Sequence, residues 1–213
     1  SLADTQIAAL TATELGALST TALAGLDAGD LAALTTAQLR GLTPSGIAAL
    51  STTQIEALGT RQLAGLTTTQ VGGLTAEQIA ALDATRFAAL SGTQIGALTT
   101  DQLDDFAATR IADLTTTQAR GLTATQLASL TTLQVSAFEA ADLAALTTTA
   151  IAGLTSGQLE SLADTQIAAL ATTQLAGLST SALAGLGTAQ IAALSTTQIR
   201  AFSTTQVAAL SAS

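Results

Sequence analysis

One eight-residue pattern runs along almost the whole chain without an insertion or a deletion. From Ala3 onward the 213-residue sequence divides into 26 octads, from ADTQIAAL (3–10) to STTQVAAL (203–210). The fifth position of the octad is Ile, Leu or Val, and the eighth is Leu. The exceptions are Phe87 and Ala119 at the fifth position and Phe106, Phe138 and Phe202 at the eighth. Any fold for this chain must therefore bury two large apolar side chains in every eight residues.

An eight-residue period fits neither a long helix nor a long strand. An α-helix turns about 100° per residue, so eight residues overshoot two full turns by about 80° and the apolar stripe would spiral around the helix. Supercoiled helices have periods of seven or eleven residues. A strand needs a period of two, whereas the apolar spacing here alternates between five and three. The backbone is therefore expected to change direction once in every octad.

The residues of the octad indicate where each helix starts. In Leu66–Val71, Thr67 is followed three positions later by Gln70, which is the pattern of a capping box. Leu66 and Val71 occupy the two positions of a hydrophobic staple. The single proline, Pro44, follows Thr43 and so falls at the first helical position, where proline is tolerated. Each octad is predicted to contain one helix of about six residues, too short to be stable alone.

These features predict an all-α fold, an α-solenoid of very short helices with one helix per octad. The small seventh residue should let neighbouring helices approach closely. Two octads, or 16 residues, are predicted per coil, because the segments SLADTQIAAL (1–10, 161–170) and IAALSTTQI (47–55, 191–199) recur after even numbers of octads. The four phenylalanines also fall in odd-numbered octads. Three octads per coil is the alternative.

Residues 1–213 are predicted to form a single uninterrupted array. Neither terminal octad resembles the polar capping repeat that usually closes a solenoid. The chain is therefore expected to be a fragment of a longer array, with ends that fray or associate end to end.

Composition excludes several classes of function. The net charge of −9 argues against partners with negative surfaces, so nucleic acid is not an expected partner. Polar residues interrupt every apolar run, so no membrane insertion is expected, and no signal peptide is recognised within this sequence. The chain lacks Cys, His, Lys, Met, Trp and Tyr. Without Cys, His or Lys the usual nucleophile–base pairs cannot form, so the protein is predicted not to be an enzyme and to have no catalytic, cofactor-binding or metal-binding residues.

Two groups of acidic residues stand out in the sequence. Asp101, Asp104, Asp105 and Asp113, with Arg110 nearby, have the oxygen ligands that suit Ca²⁺. Their spacing matches no Ca²⁺-binding loop, and a solvated acidic edge is favoured. In DAGDLAAL, Asp27 and Asp30 are interpreted as a capping pair.

Two polar residue types recur at fixed positions. The fourth-position glutamines are predicted to be capping partners that could also form a ladder between coils. Rows of second- and third-position threonines raise a less favoured hypothesis, binding to ice.

The motif in LSTTQIRAFSTTQVAAL (194–210) resembles octapeptide arrays, of LTTxQIAA type, in very large bacterial surface-associated or secreted proteins that are adhesin-like. This resemblance implies an extracellular or cell-surface location and a role as a stalk or spacer. The alternative is a solenoid scaffold that binds a protein or glycan partner. Some such arrays carry haem-utilisation labels, but this chain has no His, Met, Cys or Tyr to ligate iron.

Overall fold

The computed structural model describes residues 6, 7 and 9–210, and in this part of the chain it contains 25 α-helices and no strand. The prediction of an all-α repeat solenoid, with one short helix per octad, is confirmed. The first octad lies partly outside the described residues. The helices are α1 Ala12–Gly16, α2 Thr20–Ala24, α3 Ala28–Ala33, α4 Thr36–Leu39, α5 Pro44–Ala48, α6 Thr52–Glu56, α7 Thr60–Gly65, α8 Thr68–Gly72, α9 Ala76–Ala80, α10 Ala84–Ala88, α11 Gly92–Ile95, α12 Thr100–Asp104, α13 Ala108–Ala112, α14 Thr116–Ala119, α15 Ala124–Ser129, α16 Thr132–Ser136, α17 Ala140–Ala145, α18 Thr148–Ile151, α19 Ser156–Glu160, α20 Asp164–Ala168, α21 Thr172–Gly177, α22 Thr180–Leu183, α23 Thr188–Ala192, α24 Thr196–Ile199 and α25 Thr204–Leu210.

The chain divides into two compact units, unit 1 (Ser1–Gln102) and unit 2 (Leu103–Ser213). The same helix-packing rule holds inside each unit. In unit 1, α1 packs on α4, α2 on α5, and so on to α8 on α11. In unit 2, α13 packs on α16, α14 on α17, and so on to α22 on α25. Each helix therefore stacks on the helix three octads away.

This stacking shows that a coil contains three octads, or 24 residues. The prediction of two octads per coil is wrong, and the three-octad alternative is correct. Three helices can enclose the fifth- and eighth-position side chains between them. Recurrence of a segment after an even number of octads does not show how far the chain turns at each octad, so it could not determine the coil size.

The chain turns between helices without using the left-handed backbone conformation, since none of the described residues has a positive φ. In the octad of α3, Leu34 at the eighth position has extended dihedral angles (φ −66°, ψ 138°), and Thr35, the N-cap of α4, is extended too (φ −71°, ψ 158°). Two consecutive extended residues are enough to redirect the chain before the next capping residue starts a helix. Glycine is therefore not needed for turning.

The core of each unit is built from the fifth and eighth positions. Fifth-position side chains are fully buried through most of the chain, as with Ile55 and Leu127 at 0 % exposure. The four phenylalanines are all buried, Phe87 at the fifth position and the others at the eighth. Burying a side chain of this size stabilises the fold by about 1.5–3 kcal/mol, and the contribution recurs in each octad.

The seventh position is small because coils touch there. A Cβ atom added to Gly153 would lie 2.1 Å from the carbonyl oxygen of Ala124, and one added to Gly41 would lie 1.9 Å from that of Ala12. Both contacts join the seventh position of one octad to the second position three octads earlier. These two glycines are therefore needed for close approach between stacked helices, as the sequence predicted.

Candidate functional site

Each typical octad begins with a reciprocal pair of hydrogen bonds between its first and fourth residues. In α6 the Gln54 N–H donates to Ser51 Oγ at 3.2 Å, and the Ser51 N–H donates to Gln54 Oε1 at 2.7 Å. This is a capping box, which satisfies two N–H groups that a helix start leaves without partners. Where the first residue is Gly187 or Ala171, only the bond to the glutamine oxygen remains.

The same glutamine also holds the preceding coil. Gln54 Nε2 donates to the carbonyl oxygens of Leu23 at 3.0 Å and Leu26 at 2.7 Å, which lie 31 and 28 residues earlier. We call this arrangement the glutamine ladder: a fourth-position amide whose oxygen caps its own helix and whose nitrogen donates to a carbonyl 28 residues earlier and to one 30 or 31 residues earlier. In unit 1 it includes Gln54, Gln62, Gln70, Gln78, Gln94 and Gln102, and in unit 2 it includes Gln134, Gln158, Gln166, Gln174, Gln190, Gln198 and Gln206.

Burial explains why this position favours an amide. The ladder glutamines are buried; Gln70 and Gln158, for example, are each 2 % exposed. A buried polar group must find hydrogen-bond partners, and glutamine supplies one acceptor and two donors in the required directions. Glutamate can supply only the acceptor. Glu14, the one glutamate at this position, accepts from the Thr11 N–H at 2.7 Å, and this bond holds the pKa of its carboxyl below the ordinary value.

Arginine replaces the amide in α10. Arg86 Nε donates to the carbonyl oxygen of Leu58 at 3.1 Å, again 28 residues earlier. Its guanidinium also forms an ion pair with Asp83, the N-cap residue of the same helix. The Asp83 carboxylate accepts from the Arg86 N–H at 2.8 Å. A cation with several N–H donors therefore connects to its own N-cap residue through the carboxylate and to the preceding coil through one carbonyl.

Aspartate at the same position behaves differently in the two units. Asp30 forms a capping box with Asp27, as the sequence predicted, with two bonds of 2.9 Å. Its second oxygen, Oδ1, is buried without a partner. Asp142 in α17 is only 3 % exposed, and no capping box joins its carboxylate to the N-cap residue Glu139. Sequence reasoning did not single out Asp142, although an acid where glutamine is the rule was a visible signal.

The acidic residues weighed for Ca²⁺ do not assemble into a site. Asp101, Asp104, Asp105 and Asp113 are all exposed. Among residues 6, 7 and 9–210, no three acidic side chains come together in a group that could hold a metal ion.

The charged sixth-position residues lie on the surface, where Arg40 Nε donates to the carbonyl oxygen of Gly65 at 2.7 Å, a further contact between stacked octads. Within the described residues, none of the helices is long and apolar enough to cross a membrane.

Comparison with known families identifies the repeat. The model of the ALTTAQ repeat matches the chain five times, at residues 23–60, 55–84, 135–172, 167–196 and 183–213. These matches cover well over half of the chain, so the protein belongs to the ALTTAQ repeat family. No curated protein matches the sequence.

Proposed function

We propose that this repeat region is a non-enzymatic stalk or spacer within a large bacterial extracellular or cell-surface protein. The observation that supports a structural role is the glutamine ladder, which repeats the same connection to the preceding coil along each unit. Because each coil interacts mainly with its neighbours, octads can be added without redesigning a core. This property suits a segment whose purpose is length.

The exposed surface supports a spacer over a binding scaffold. Binding hot spots are enriched in aromatic residues and arginine. All four phenylalanines are buried, and the chain has no Trp or Tyr. Leu133, 69 % exposed, is an isolated apolar side chain in the middle of the array. A protein or glycan partner would find few anchoring groups on such a surface.

Small-angle X-ray scattering on two proteins tests the spacer role. The first is the 213-residue chain, and the second is a genetic fusion of two copies that keeps the octad register across the junction. A spacer requires the maximum dimension to double with the number of octads. A maximum dimension that increases only with the cube root of the mass, as in a globular protein, would rule out the spacer role.

One face of unit 2 favours a second candidate function, ice binding. Thr125, Thr149, Thr173 and Thr197 occupy the third position of octads whose helices, α15, α18, α21 and α24, stack in consecutive coils. All four side chains are exposed, so their hydroxyl and methyl groups form a regular column. Ice binding would appear as thermal hysteresis that Thr173→Lys abolishes and Thr165→Lys, on another helix of the coil, preserves. A chain without measurable hysteresis would eliminate this candidate.

We further propose that copies of the chain associate end to end. Fifth-position side chains are buried in most octads, but Ile199 is 38 % exposed and Val207 is 48 % exposed, and both belong to the last octads of the described residues. A coil of the same octad type is the partner that fits this surface. Light scattering should detect oligomers that Ile199→Glu and Val207→Glu disperse and that Leu133→Glu, at an exposed leucine far from this end, leaves unchanged. A strictly monomeric parent chain at high concentration would contradict the proposal.

A further inference from the structure

Asp142 occupies a ladder position without a ladder donor. The neighbouring glutamines fix the register: Gln134 donates to the carbonyls of Leu103 and Phe106, and Gln158 to those of Leu127 and Leu130, at 2.6–2.9 Å. The same spacing of 31 and 28 residues assigns the carbonyls of Ile111 and Leu114 to position 142. A buried carboxyl thus occupies a place where stacked octads normally exchange two hydrogen bonds.

The ionised carboxylate cannot make this connection. A carboxylate only accepts hydrogen bonds, and the carbonyl oxygens assigned to it also only accept. A protonated carboxyl carries one O–H donor and can therefore do half of what the glutamine amide does. Burial of the side chain also disfavours the charged form in its own right.

The charges around Asp142 do not compensate for a buried negative charge. On its own segment, Glu139 stands at the N-cap of α17 and makes no capping bond. α17 packs on α14 and α20. The charged residues on these elements and beside the Ile111 and Leu114 carbonyls are Arg110, Asp113, Arg120 and Asp164. Burial raises the pKa of the Asp142 carboxyl above its ordinary value, and the Glu139 carboxylate raises it further.

We propose that Asp142 is a proton-dependent rung of the glutamine ladder. In the protonated state its carboxyl donates to a carbonyl at the end of α13 and joins two coils of unit 2. In the ionised state this connection is open, and the octad of α17 becomes a weak point of the unit.

The direction of the pH effect follows from the raised pKa. Because the folded state holds the proton more tightly than the unfolded state, folding takes up a proton between the two pKa values. The contribution of Asp142 is therefore fully present below the ordinary aspartate pKa and is lost as pH rises through the raised value. Each unit of pKa increase corresponds to about a tenfold change in the local unfolding equilibrium constant.

The test compares amide hydrogen exchange in the parent chain and in Asp142→Asn at the same pH, so that chemical exchange rates cancel. The asparagine amide is a permanently neutral donor of similar size. The two proteins should protect the amides of α17 equally at low pH, and the parent should exchange faster above the Asp142 pKa, by about tenfold for each unit by which that pKa is raised. Asp164→Asn, at an exposed aspartate on α20, should follow the parent at every pH.

A ¹³C NMR titration of the Asp142 carboxyl in the parent chain provides a readout that needs no variant. The proposal requires it to titrate above the ordinary range of an aspartate. Titration within that ordinary range would overturn the proposal. So would a parent chain that Ca²⁺ or Na⁺ protects at neutral pH while Asp142→Asn gains nothing, because a cation rather than a proton would then fill the position.

Discussion

Among the octads that replace the ladder glutamine with a charged residue, those of α10 and α17 give opposite results. In the octad of α10, Arg86 reaches the Leu58 carbonyl and also pairs with the N-cap carboxylate of Asp83. In the octad of α17, Asp142 reaches neither a carbonyl nor its N-cap residue. The difference teaches that a polar side chain at the fourth position connects to the preceding coil only through a hydrogen-bond donor. Positive charge is compatible with this connection, whereas a carboxylate needs a proton before it can donate.

The largest expected effect comes from removing an intact rung. Gln158→Ala deletes the bond to the Thr155 N–H and both bonds to the carbonyls of Leu127 and Leu130. Leaving these buried groups without partners should destabilise unit 2 by about 2–4 kcal/mol. Urea unfolding followed by circular dichroism measures the change. Thr149→Ala, at an exposed third position, should cost little, and equal effects of the two substitutions would refute the ladder as a stabilising feature.

Arg86→Ala should have a smaller effect. The variant loses one hydrogen bond to the Leu58 carbonyl, which contributes about 0.5–1.5 kcal/mol, and an exposed ion pair that adds little. Arg86→Gln restores the usual rung, so it should recover most of the stability in the same unfolding assay. If Arg86→Gln were as unstable as Arg86→Ala, a donor would not be the requirement at this position.

Glu139→Ser changes the N-cap residue of α17, in the octad that contains Asp142. Serine at the N-cap of α17 can accept from an N–H of the first turn, which should stabilise the helix by about 1 kcal/mol. The substitution also removes the negative charge that raises the pKa of Asp142, so the Asp142 titration should move to lower pH. Ala171→Ser adds the cap alone at another octad. It should give a similar stabilisation and leave the Asp142 titration unchanged.

Asp83→Asn should produce the smallest effect, with the opposite pH dependence. The Arg86 N–H is the main cause that lowers the pKa of Asp83, and the guanidinium lowers it further. A lowered pKa gives stability that is present above the ordinary aspartate value and is lost as pH falls. The stability difference between parent and variant should therefore shrink in acid. A difference that grows in acid would mean that the Asp83–Arg86 contact is wrongly described.

Sequence alone predicted the local structure well because the cap is encoded within one octad. The Ser or Thr at the first position, the Gln at the fourth and Pro44 at the start of α5 all act over three residues or fewer. The two aspartates of DAGDLAAL were also interpreted correctly as a cap.

The coil size could not be obtained in the same way. Contacts 28 and 31 residues apart depend on the angle turned at each octad, and no residue within the octad reports that angle. Asp142 illustrates the same difficulty. Glu139 and Asp142 are acidic residues at the first and fourth positions of their octad, just as Asp27 and Asp30 are, so both octads have the sequence of a capping pair. Only the structure reveals that Asp142 is buried without the capping box that Asp27 and Asp30 form.

The three-octad coil is the central claim, and an engineered disulfide tests it most directly, since the chain has no cysteine of its own. A Cβ atom added to Gly177 would lie 3.8 Å from Thr148 Cβ, which is the mean separation of about 3.8 Å in disulfides. Oxidised Gly177→Cys/Thr148→Cys chains should form an intramolecular disulfide that mass spectrometry detects in the monomer. Gly177→Cys/Ser156→Cys, the pair that a two-octad coil would bring together, should remain as free thiols. A disulfide in the second variant and free thiols in the first would contradict the three-octad coil.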